Sequence, residues 1–274
     1  MKLHLSIIGG GNMARSLIGG LIARGMEAAQ ITVSDPKETQ LEALQSQFDV
    51  RVSSSNTLAV RGADAVLLAV KPQEMRLVTT ELSALLANRR PLLISIAAGI
   101  RAEDIRRWSG GLPVVRCMPN RPALQGCGMT GLYATDDVPE AGRQIALDIL
   151  GAVGSTLWLE REDQLDAVTA VSGTGPAYFF LLVEMMEQAG TALGLPAETS
   201  HRLAVETAYG AGCMMRAAND SAATLREQVT SKGGTTEAAM RVLEGQNVRA
   251  IFTEAITAAA RRSTQLADEF GTSN

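Results

Sequence analysis

Ile7-Ile8-Gly9-Gly10-Gly11-Asn12-Met13-Ala14 is the stretch that decides the fold of this 274-residue chain. Apolar residues before the glycines predict a buried strand, and apolar residues at helical spacing after them predict a helix. Gly9 permits the tight turn, Gly11 lets backbone approach a pyrophosphate, and small Ala14 lets the helix pack closely on the strand. The segment is therefore a dinucleotide-binding fingerprint, with the helix N-terminus facing the phosphates. A glycine-rich turn that binds nothing is the alternative.

Strands and helices alternate over the first 159 residues. Apolar runs predict further strands at 31–34, 49–52, 63–70, 92–97, 114–118, 129–134 and 156–159, and helical periodicity predicts helices at 38–48, 75–86, 102–108 and 140–152. The run 65–70 is apolar throughout, which is typical of a parallel strand buried on both faces. This order predicts an α/β fold. We expect an N-terminal Rossmann domain over 1–159, a doubly wound parallel sheet whose ligands bind at the carboxyl ends of the strands.

The second half, residues 160–274, shows no strand pattern, and we expect an all-helical domain there. Its two prolines, Pro176 and Pro196, stand where helices could begin, a position that proline tolerates. The helix after Pro176 starts with the run 177–183, which is apolar on every face and should be buried all round. A helical half of this size cannot easily bury such a helix by itself. We therefore predict burial against a second copy of the chain in a homo-oligomer.

Composition disfavours several classes of partner. A net charge of −4 and an aromatic content of 4% give no reason to expect nucleic acid or an anionic membrane surface. A membrane span is not expected, because Gly173, Gly175 and Pro176 interrupt the longest uncharged stretch. The three cysteines lack CxxC spacing, which argues against zinc and against a disulfide framework. Since no secretion signal precedes the first strand, we expect a cytoplasmic protein.

Three strand ends and two helix starts carry loops that fit a ligand site. Ala69-Val70-Lys71-Pro72, Ser95-Ile96-Ala97-Ala98-Gly99 and Cys117-Met118-Pro119-Asn120 follow predicted strands and should meet at one edge of the sheet. Thr230-Ser231-Lys232-Gly233-Gly234-Thr235-Thr236-Glu237 opens a helix whose N–H groups would hold a carboxylate. Ser172-Gly173-Thr174-Gly175-Pro176-Ala177-Tyr178 is another helix entrance. Simple N-capping is the alternative for both helix starts.

The sequence lacks the residue sets that most acid–base and metal-dependent enzymes use, and this limits the reactions that it could catalyse. It has only two histidines, and neither joins a nucleophile–base set or a metal-ligand cluster. The reaction must therefore need little acid–base help from the protein. Hydride transfer from a nicotinamide cofactor to an electrophile that is already activated fits that demand.

Taken in order, these motifs resemble those of the pyrroline-5-carboxylate reductase family over nearly the whole chain. The matching segments are Gly9-x-Gly11-Asn12-Met13, 69–72, 95–99, 118–120, 171–178 and 233–236. The resemblance implies an oxidoreductase that makes L-proline from 1-pyrroline-5-carboxylate with NADPH or NADH, the last step of proline biosynthesis. It also implies a Rossmann domain followed by a helical substrate-binding and dimerisation domain that interlocks two subunits. In that family, dimers often assemble further, commonly into decamers.

The resemblance also implies a role for each matching residue. The cofactor-binding residues are Gly9, Gly11, Asn12 and Met13 at the pyrophosphate, Ser34 at the ribose or its 2′-phosphate, Asn56 near the adenine, and Ala69, Val70, Lys71, Pro72 and Ala97 toward the nicotinamide. The substrate-binding residues are Ser231, Gly233, Gly234, Thr235 and Thr236, which cradle the carboxylate largely through backbone N–H groups, and Glu162 near that pocket. Thr236 is the implied catalytic residue, because its hydroxyl would reach the ring nitrogen of the substrate.

Some positions depart from the family pattern. Lys232 replaces a proline, Arg121 a threonine and Thr174 a serine. Asp35 matters more, because an acidic residue at this distance past the fingerprint binds ribose hydroxyls and disfavours a 2′-phosphate. Ser34 and Lys37 argue the other way, and we expect NADP(H) to be preferred with NAD(H) possible.

Two other functions are compatible with the sequence. One is a reductase of a related cyclic imine or of a β-hydroxyacid, and the other is a non-catalytic dinucleotide-binding sensor. Enzymes that act on β-hydroxyacids place a catalytic lysine in the helical domain, whereas Lys232, the only lysine after Lys71, lies in a glycine loop. The intact segment 233–236 disfavours the sensor, because a sensor needs no imine pocket.

Overall fold

A computed structural model describes residues 3–272 of the chain, in two compact units. Of the described residues, the first unit contains 3–174 and 259–272, and the second is Gly175–Ala258. This division differs from the predicted boundary between residues 159 and 160. The physical reason is that residues 160–174 and 259–272 both pack on the N-terminal part of the chain. A Cβ built on Gly131 would lie 3.0 Å from Cγ1 of Val168, and one built on Gly99 would lie 3.0 Å from Cβ of Leu266.

The first unit is built on one eight-stranded sheet with the spatial order 3-2-1-4-5-6-7-8. The strands are β1 (Leu5–Ile8), β2 (Ile31–Ser34), β3 (Arg51–Ser53), β4 (Ala65–Leu68), β5 (Leu92–Ser95), β6 (Val114–Met118), β7 (Gly128–Ala134) and β8 (Gly154–Trp158). Strands β1 to β6 are parallel. The strand order reverses between β1 and β4, the switch point where open α/β sheets bind ligands. The predicted Rossmann fold is confirmed.

The β7 strand departs from the predicted all-parallel sheet. It pairs antiparallel to β6, with Val115 opposite Ala134. The connection between the two strands spans only residues 119–127 and contains the short 3₁₀ turn Arg121–Gln125, whereas a parallel neighbour would need a crossover of a dozen or more residues. Because β8 is parallel to β7, the carboxyl ends of these two strands lie at the edge opposite to the carboxyl ends of β1 to β6.

Helices flank the sheet and form the second unit. In the first unit they are α1 (Asn12–Ala23), α2 (Glu38–Phe48), α3 (Asn56–Ala59), α4 (Pro72–Leu86), α5 (Ala102–Ser109), α6 (Glu140–Gly151) and α7 (Gln164–Val168), with a 3₁₀ turn Ala28–Gln30 and a π-helical turn Thr169–Gly173. The second unit contains α8 (Gly175–Ala192), α9 (Ala197–Ala217), α10 (Ala222–Gln228), α11 (Thr235–Gly245) and the start of α12 (Val248–Thr272).

The core of the first unit lies on both faces of the sheet. Successive side chains of a strand point to opposite faces, so Ile7 belongs to one buried apolar cluster and Ile8 to the other. Leu17 of α1 packs in the first cluster and Leu82 of α4 in the second. The buried β1 therefore fixes the glycine turn at the centre of the sheet edge.

The second unit exposes much of its apolar surface within one chain. The α8 helix packs on α9, yet Phe179, Phe180 and Leu181 are 57%, 66% and 54% exposed. One helical stretch among residues 3–272, Gln164–Ala192, is long and apolar enough to cross a membrane by length and composition. Apolar side chains exposed in this density mark a surface that contacts another molecule.

Candidate functional site

The turn between β1 and α1 requires glycine at its first position. Gly9 has a φ of +100°, and a Cβ built on it would lie 2.6 Å from the carbonyl oxygen of Ala69. Its N–H donates to the carbonyl oxygen of Ser34 at 2.8 Å. Gly9 therefore ties together the ends of β1, β2 and β4.

Gly11 differs, because it leaves room for a ligand. It is the N-cap of α1 with a φ of −67°, and no heavy atom lies within 4 Å of a Cβ built on it. No side chain caps α1, and its first turn holds no acidic residue. The first-turn N–H groups of Asn12 and Met13 have no acceptor within the helix and lie at its positive end, so these residues fit the pyrophosphate of a dinucleotide.

The end of β2 is organised by hydrogen bonds. Ser34 is fully buried and donates from its hydroxyl to Oδ1 of Asn56, the first residue of α3, at 2.8 Å. The carboxylate of Asp35 accepts from the N–H of Gly10 at 2.8 Å and from that of Lys37 at 2.9 Å. Ser34 therefore orients Asn56, and Asp35 fastens the glycine turn to β2. The Asp35–Gly10 bond was not anticipated, although an aspartate two residues before Lys37 signals an Asx turn.

Three strand ends meet at one edge of the sheet, as predicted. β4, β5 and β6 are parallel neighbours, so Ala69, Ala97 and Asn120, which follow them, lie at the same edge. Exposed Lys71 is the N-cap of α4, and Pro72 is its first residue. Val70 is half-buried beside them.

The end of α12 packs on the loop that contains Ala97. Gly99 has a φ of +71°, and a Cβ built on it would lie 3.0 Å from the Cβ of Leu266. Arg101 forms an ion pair with Asp268, and Arg107 donates to the carbonyl oxygen of Gly271 at 3.3 Å. The loop is thus held from a segment more than 160 residues further along the chain, which no local pattern indicated.

Glu162 has partners within the first unit. Its Oε1 accepts from the N–H of Ala102, the first residue of α5, at 2.7 Å and from Nη1 of Arg116 at 2.8 Å. The Arg116 side chain is only 6% exposed, so Glu162 supplies its counter-charge. Burial, together with the charge of Glu162, raises the pKa of Tyr133. The sequence missed this structural role, and substrate contact by Glu162 stays a prediction.

The second unit contains the predicted carboxylate cradle. Gly233, at a φ of +73°, donates its N–H to Oε2 of Glu237 at 2.8 Å, and Gly234 donates to the carbonyl oxygen of Ser231 at 3.0 Å. These glycines therefore shape the turn, and their N–H groups are already used. The first-turn N–H groups of Thr235 and Thr236 have no acceptor within the helix, and no side chain caps α11.

The hydroxyl of Thr236 has no hydrogen bond to any residue within 3–272, and its side chain is half-buried. The same range contains no group of histidine, cysteine and acidic residues that could hold a metal ion. The first unit thus contains the predicted cofactor residues and, separately, Glu162 with its partners Ala102 and Arg116, and the second unit contains Ser231 to Thr236.

Two family models match the chain. One, described as pyrroline-5-carboxylate reductase dimerisation, matches residues 162–266, and one described as NADP oxidoreductase, coenzyme F420-dependent, matches residues 4–99. The first covers α8 to α11 with their exposed apolar side chains, and the second covers the glycine turn and the strand ends up to Gly99.

Relatives of known function align with nearly the whole chain. The pyrroline-5-carboxylate reductase of Pseudomonas aeruginosa is 48% identical over 98% of both chains, and that of Haemophilus influenzae is 44% identical over 96% of this chain and 97% of its own. The structure of a pyrroline-5-carboxylate reductase from Coxiella burnetii superposes with a TM-score of 0.94 at 39% identity, covering 97% of this chain and 99% of that one. The structure of a Plasmodium falciparum pyrroline carboxylate reductase with NADP bound superposes with a TM-score of 0.84 at 26% identity, covering 97% of this chain and 99% of that one.

Proposed function

The chain belongs to the pyrroline-5-carboxylate reductase family, and we propose that it reduces 1-pyrroline-5-carboxylate to L-proline with NAD(P)H, the last step of proline biosynthesis. One observation carries the proposal. A single chain of this family holds both an open glycine turn that fits a dinucleotide, at Gly11, and an uncapped helix start that fits a small carboxylate, at Thr235.

The first unit binds the nucleotide. Gly11, Asn12 and Met13 hold the pyrophosphate at the start of α1, and Asn56, oriented by Ser34, lies near the adenine. Ala69, Val70, Lys71, Pro72 and Ala97 lead to the nicotinamide, which supplies the hydride when the cofactor is bound.

NADP(H) is the preferred cofactor in this proposal, with NAD(H) possible. Both carboxylate oxygens of Asp35 accept backbone hydrogen bonds, which partly offsets the negative charge that a 2′-phosphate would meet. The exposed Lys37 beside it supplies a positive charge for such a phosphate.

The second unit binds the substrate. The N–H groups of Thr235 and Thr236 hold the carboxylate, with support from the α11 dipole. The pyrroline nitrogen takes its proton from solvent, and the Thr236 hydroxyl orients that nitrogen. Fixing the ring by its carboxylate and its nitrogen presents one face of the imine carbon, so positioning supplies much of the acceleration.

The chain forms a homo-oligomer through its dimerisation region. We infer a homodimer in which a second copy of the chain covers the exposed α8 face, and further assembly of these dimers to a decamer. We also infer that the protein lies in the cytoplasm and binds neither nucleic acid nor a membrane. Light scattering coupled to size-exclusion chromatography measures the subunit number, and a monomer at micromolar concentration would overturn this inference.

An assay of NAD(P)H oxidation with 1-pyrroline-5-carboxylate tests the function. We expect one L-proline formed for each cofactor oxidised, and a higher kcat/KM with NADPH than with NADH. Two parallel assays examine the related activities. One measures oxidation of NAD(P)H with a six-membered cyclic imino acid, and the other measures reduction of NAD(P)+ with a β-hydroxyacid. Either reaction, without reduction of 1-pyrroline-5-carboxylate, would overturn the proposal.

A further inference from the structure

Asn120 and Ser172 join two sequence motifs to which the proposed function gives no role. The amide nitrogen of Asn120 donates to the carbonyl oxygen and to Oγ of Ser172, at 3.2 Å each. The N–H of Met129 donates to Oδ1 of Asn120 at 2.9 Å. Because Met129 is a donor, the amide oxygen must face it, and the amide nitrogen must face Ser172. The orientation of the Asn120 amide is therefore fixed by its surroundings.

The Ser172 hydroxyl is available as a hydrogen-bond donor. Its oxygen accepts from Asn120, so its hydrogen must point elsewhere. Two nearby hydroxyls return their protons to the helix backbone, Thr169 to Leu165 at 2.8 Å and Thr174 to Thr169 at 3.0 Å. Within residues 3–272 no group accepts the proton of Ser172. Ser172 is half-buried and thus remains within reach of a ligand.

The π-helical turn that carries Ser172 packs on the end of β6. A Cβ built on Gly173 would lie 2.6 Å from Cε of Met118, so the turn closely approaches the end of β6. Since β5 and β6 are parallel, this turn lies at the same sheet edge as Ala97. Single π-helical turns within helices are frequent at functional sites.

We propose that Ser172 donates a hydrogen bond to the carboxamide oxygen of the nicotinamide, and that Asn120 is the positioning residue that orients the Ser172 hydroxyl. The inference rests on the proposed function in that it needs a nicotinamide cofactor at this edge. The carboxamide is the acceptor rather than the substrate carboxylate, because the proposed function already gives that carboxylate its donors, the N–H groups of Thr235 and Thr236. Anchoring the carboxamide fixes the plane of the nicotinamide ring.

Measuring the binding of NADPH and of a cofactor fragment without nicotinamide distinguishes this role from a general disturbance of the cofactor site. For Ser172→Ala we expect the Kd of NADPH to rise about 3- to 10-fold, the effect of one hydrogen bond. The Kd of 2′-phospho-ADP-ribose, which lacks nicotinamide, should not change. Thr174→Val is the matched control, because it removes a hydroxyl of the same turn whose proton already has an acceptor. It should leave both Kd values unchanged.

Asn120→Asp tests the positioning. A carboxylate in place of the amide accepts the Ser172 proton and removes it from the ligand. We expect the same loss of NADPH affinity as for Ser172→Ala, and no further loss in the double variant. Additive losses in the double variant would overturn the positioning role.

Other results of these binding and activity measurements test the role of Ser172 separately from the proposed function. The role of Ser172 would be overturned if Ser172→Ala weakened the binding of NADPH and of 2′-phospho-ADP-ribose equally. Weaker binding of L-proline with unchanged NADPH affinity would also overturn it. An active wild type with an unchanged NADPH Kd in Ser172→Ala would also overturn it and leave the proposed function intact. A wild type that does not reduce 1-pyrroline-5-carboxylate, with the predicted split in Kd values, would overturn the function and support the role of Ser172.

Discussion

Gly9 and Ala69 approach each other so closely that a Cβ at position 9 would lie 2.6 Å from the Ala69 carbonyl oxygen. Two residues further on, a Cβ on Gly11 would have no heavy atom within 4 Å. The two glycines of one turn therefore serve different purposes. Gly9 is required by the packing of the protein itself, whereas the protein leaves open space at Gly11, where we propose that the pyrophosphate lies.

Alanine substitutions distinguish these two purposes. Gly9→Ala should lower the Tm of the free protein and abolish NADPH binding, because the backbone must move to relieve the clash and the positive φ. Gly11→Ala should leave the Tm of the free protein unchanged or slightly higher, since its φ of −67° suits alanine. It should nevertheless raise the Kd for NADPH by about 10-fold or more, because the added methyl group fills the space of the pyrophosphate. Thermal unfolding with and without NADPH checks both, and a Gly11→Ala protein that NADPH stabilises as well as wild type would contradict the assignment.

Glu162→Gln is expected to act on stability. It leaves the buried Arg116 without its counter-charge and should cost about 1–3 kcal/mol in the free energy of urea unfolding. The exposed Glu160, two residues away, gives the control Glu160→Gln, which should change little. A raised KM for 1-pyrroline-5-carboxylate with unchanged stability would show instead that Glu162 serves the substrate.

Two substitutions of Glu237 separate its charge from its hydrogen bond to Gly233. Glu237→Gln keeps an acceptor for the Gly233 N–H but removes a negative charge from the first turn of α11. The KM for the anionic substrate should fall about 2- to 5-fold at low ionic strength, with a smaller effect at high salt. Glu237→Ala removes the hydrogen bond as well and should raise this KM. Equal KM values for both variants would contradict this account of the turn.

The cysteines report on burial. Cys117 lies in β6 at 1% exposure, and burial raises the pKa of its thiol far above the ordinary value. Since the thiolate is the reactive form, Cys117 should not react with thiol reagents in the native protein, even when the pH rises through the usual cysteine range. The double variant Cys127→Ser/Cys213→Ser isolates it, and we expect labelling only after unfolding in guanidinium. Rapid labelling of the folded double variant would contradict the burial of β6.

Local patterns predicted the parts of the structure that depend on neighbouring residues. β2, α2 and β6 have the predicted bounds, because apolar periodicity and flanking polar residues mark them clearly. The fingerprint at Gly9 and Gly11 lies between the predicted strand and helix for the same reason.

Contacts between distant residues could not be read from such patterns. The direction of β7 depends on the length of one connection, and the packing of α12 on Gly99 joins segments that carry no shared signal. The partners of Glu162 and the hydrogen bonds of Asn120 likewise arise from tertiary packing. The helix start at Thr235 was predicted from its glycines and hydroxyl residues, but the N–H groups of Gly233 and Gly234, two of the expected carboxylate donors, are used within the turn.

In the mechanism that we propose, the first unit holds the nucleotide while the hydroxyl of Thr236 in the second unit orients the imine nitrogen. Thr236→Val keeps the shape of the side chain and removes only that hydroxyl. Its kcat for 1-pyrroline-5-carboxylate reduction should fall about 10- to 100-fold, with an unchanged Kd for NADPH. An unchanged kcat would contradict this mechanism, and so would a loss of NADPH affinity that accounts for the whole effect.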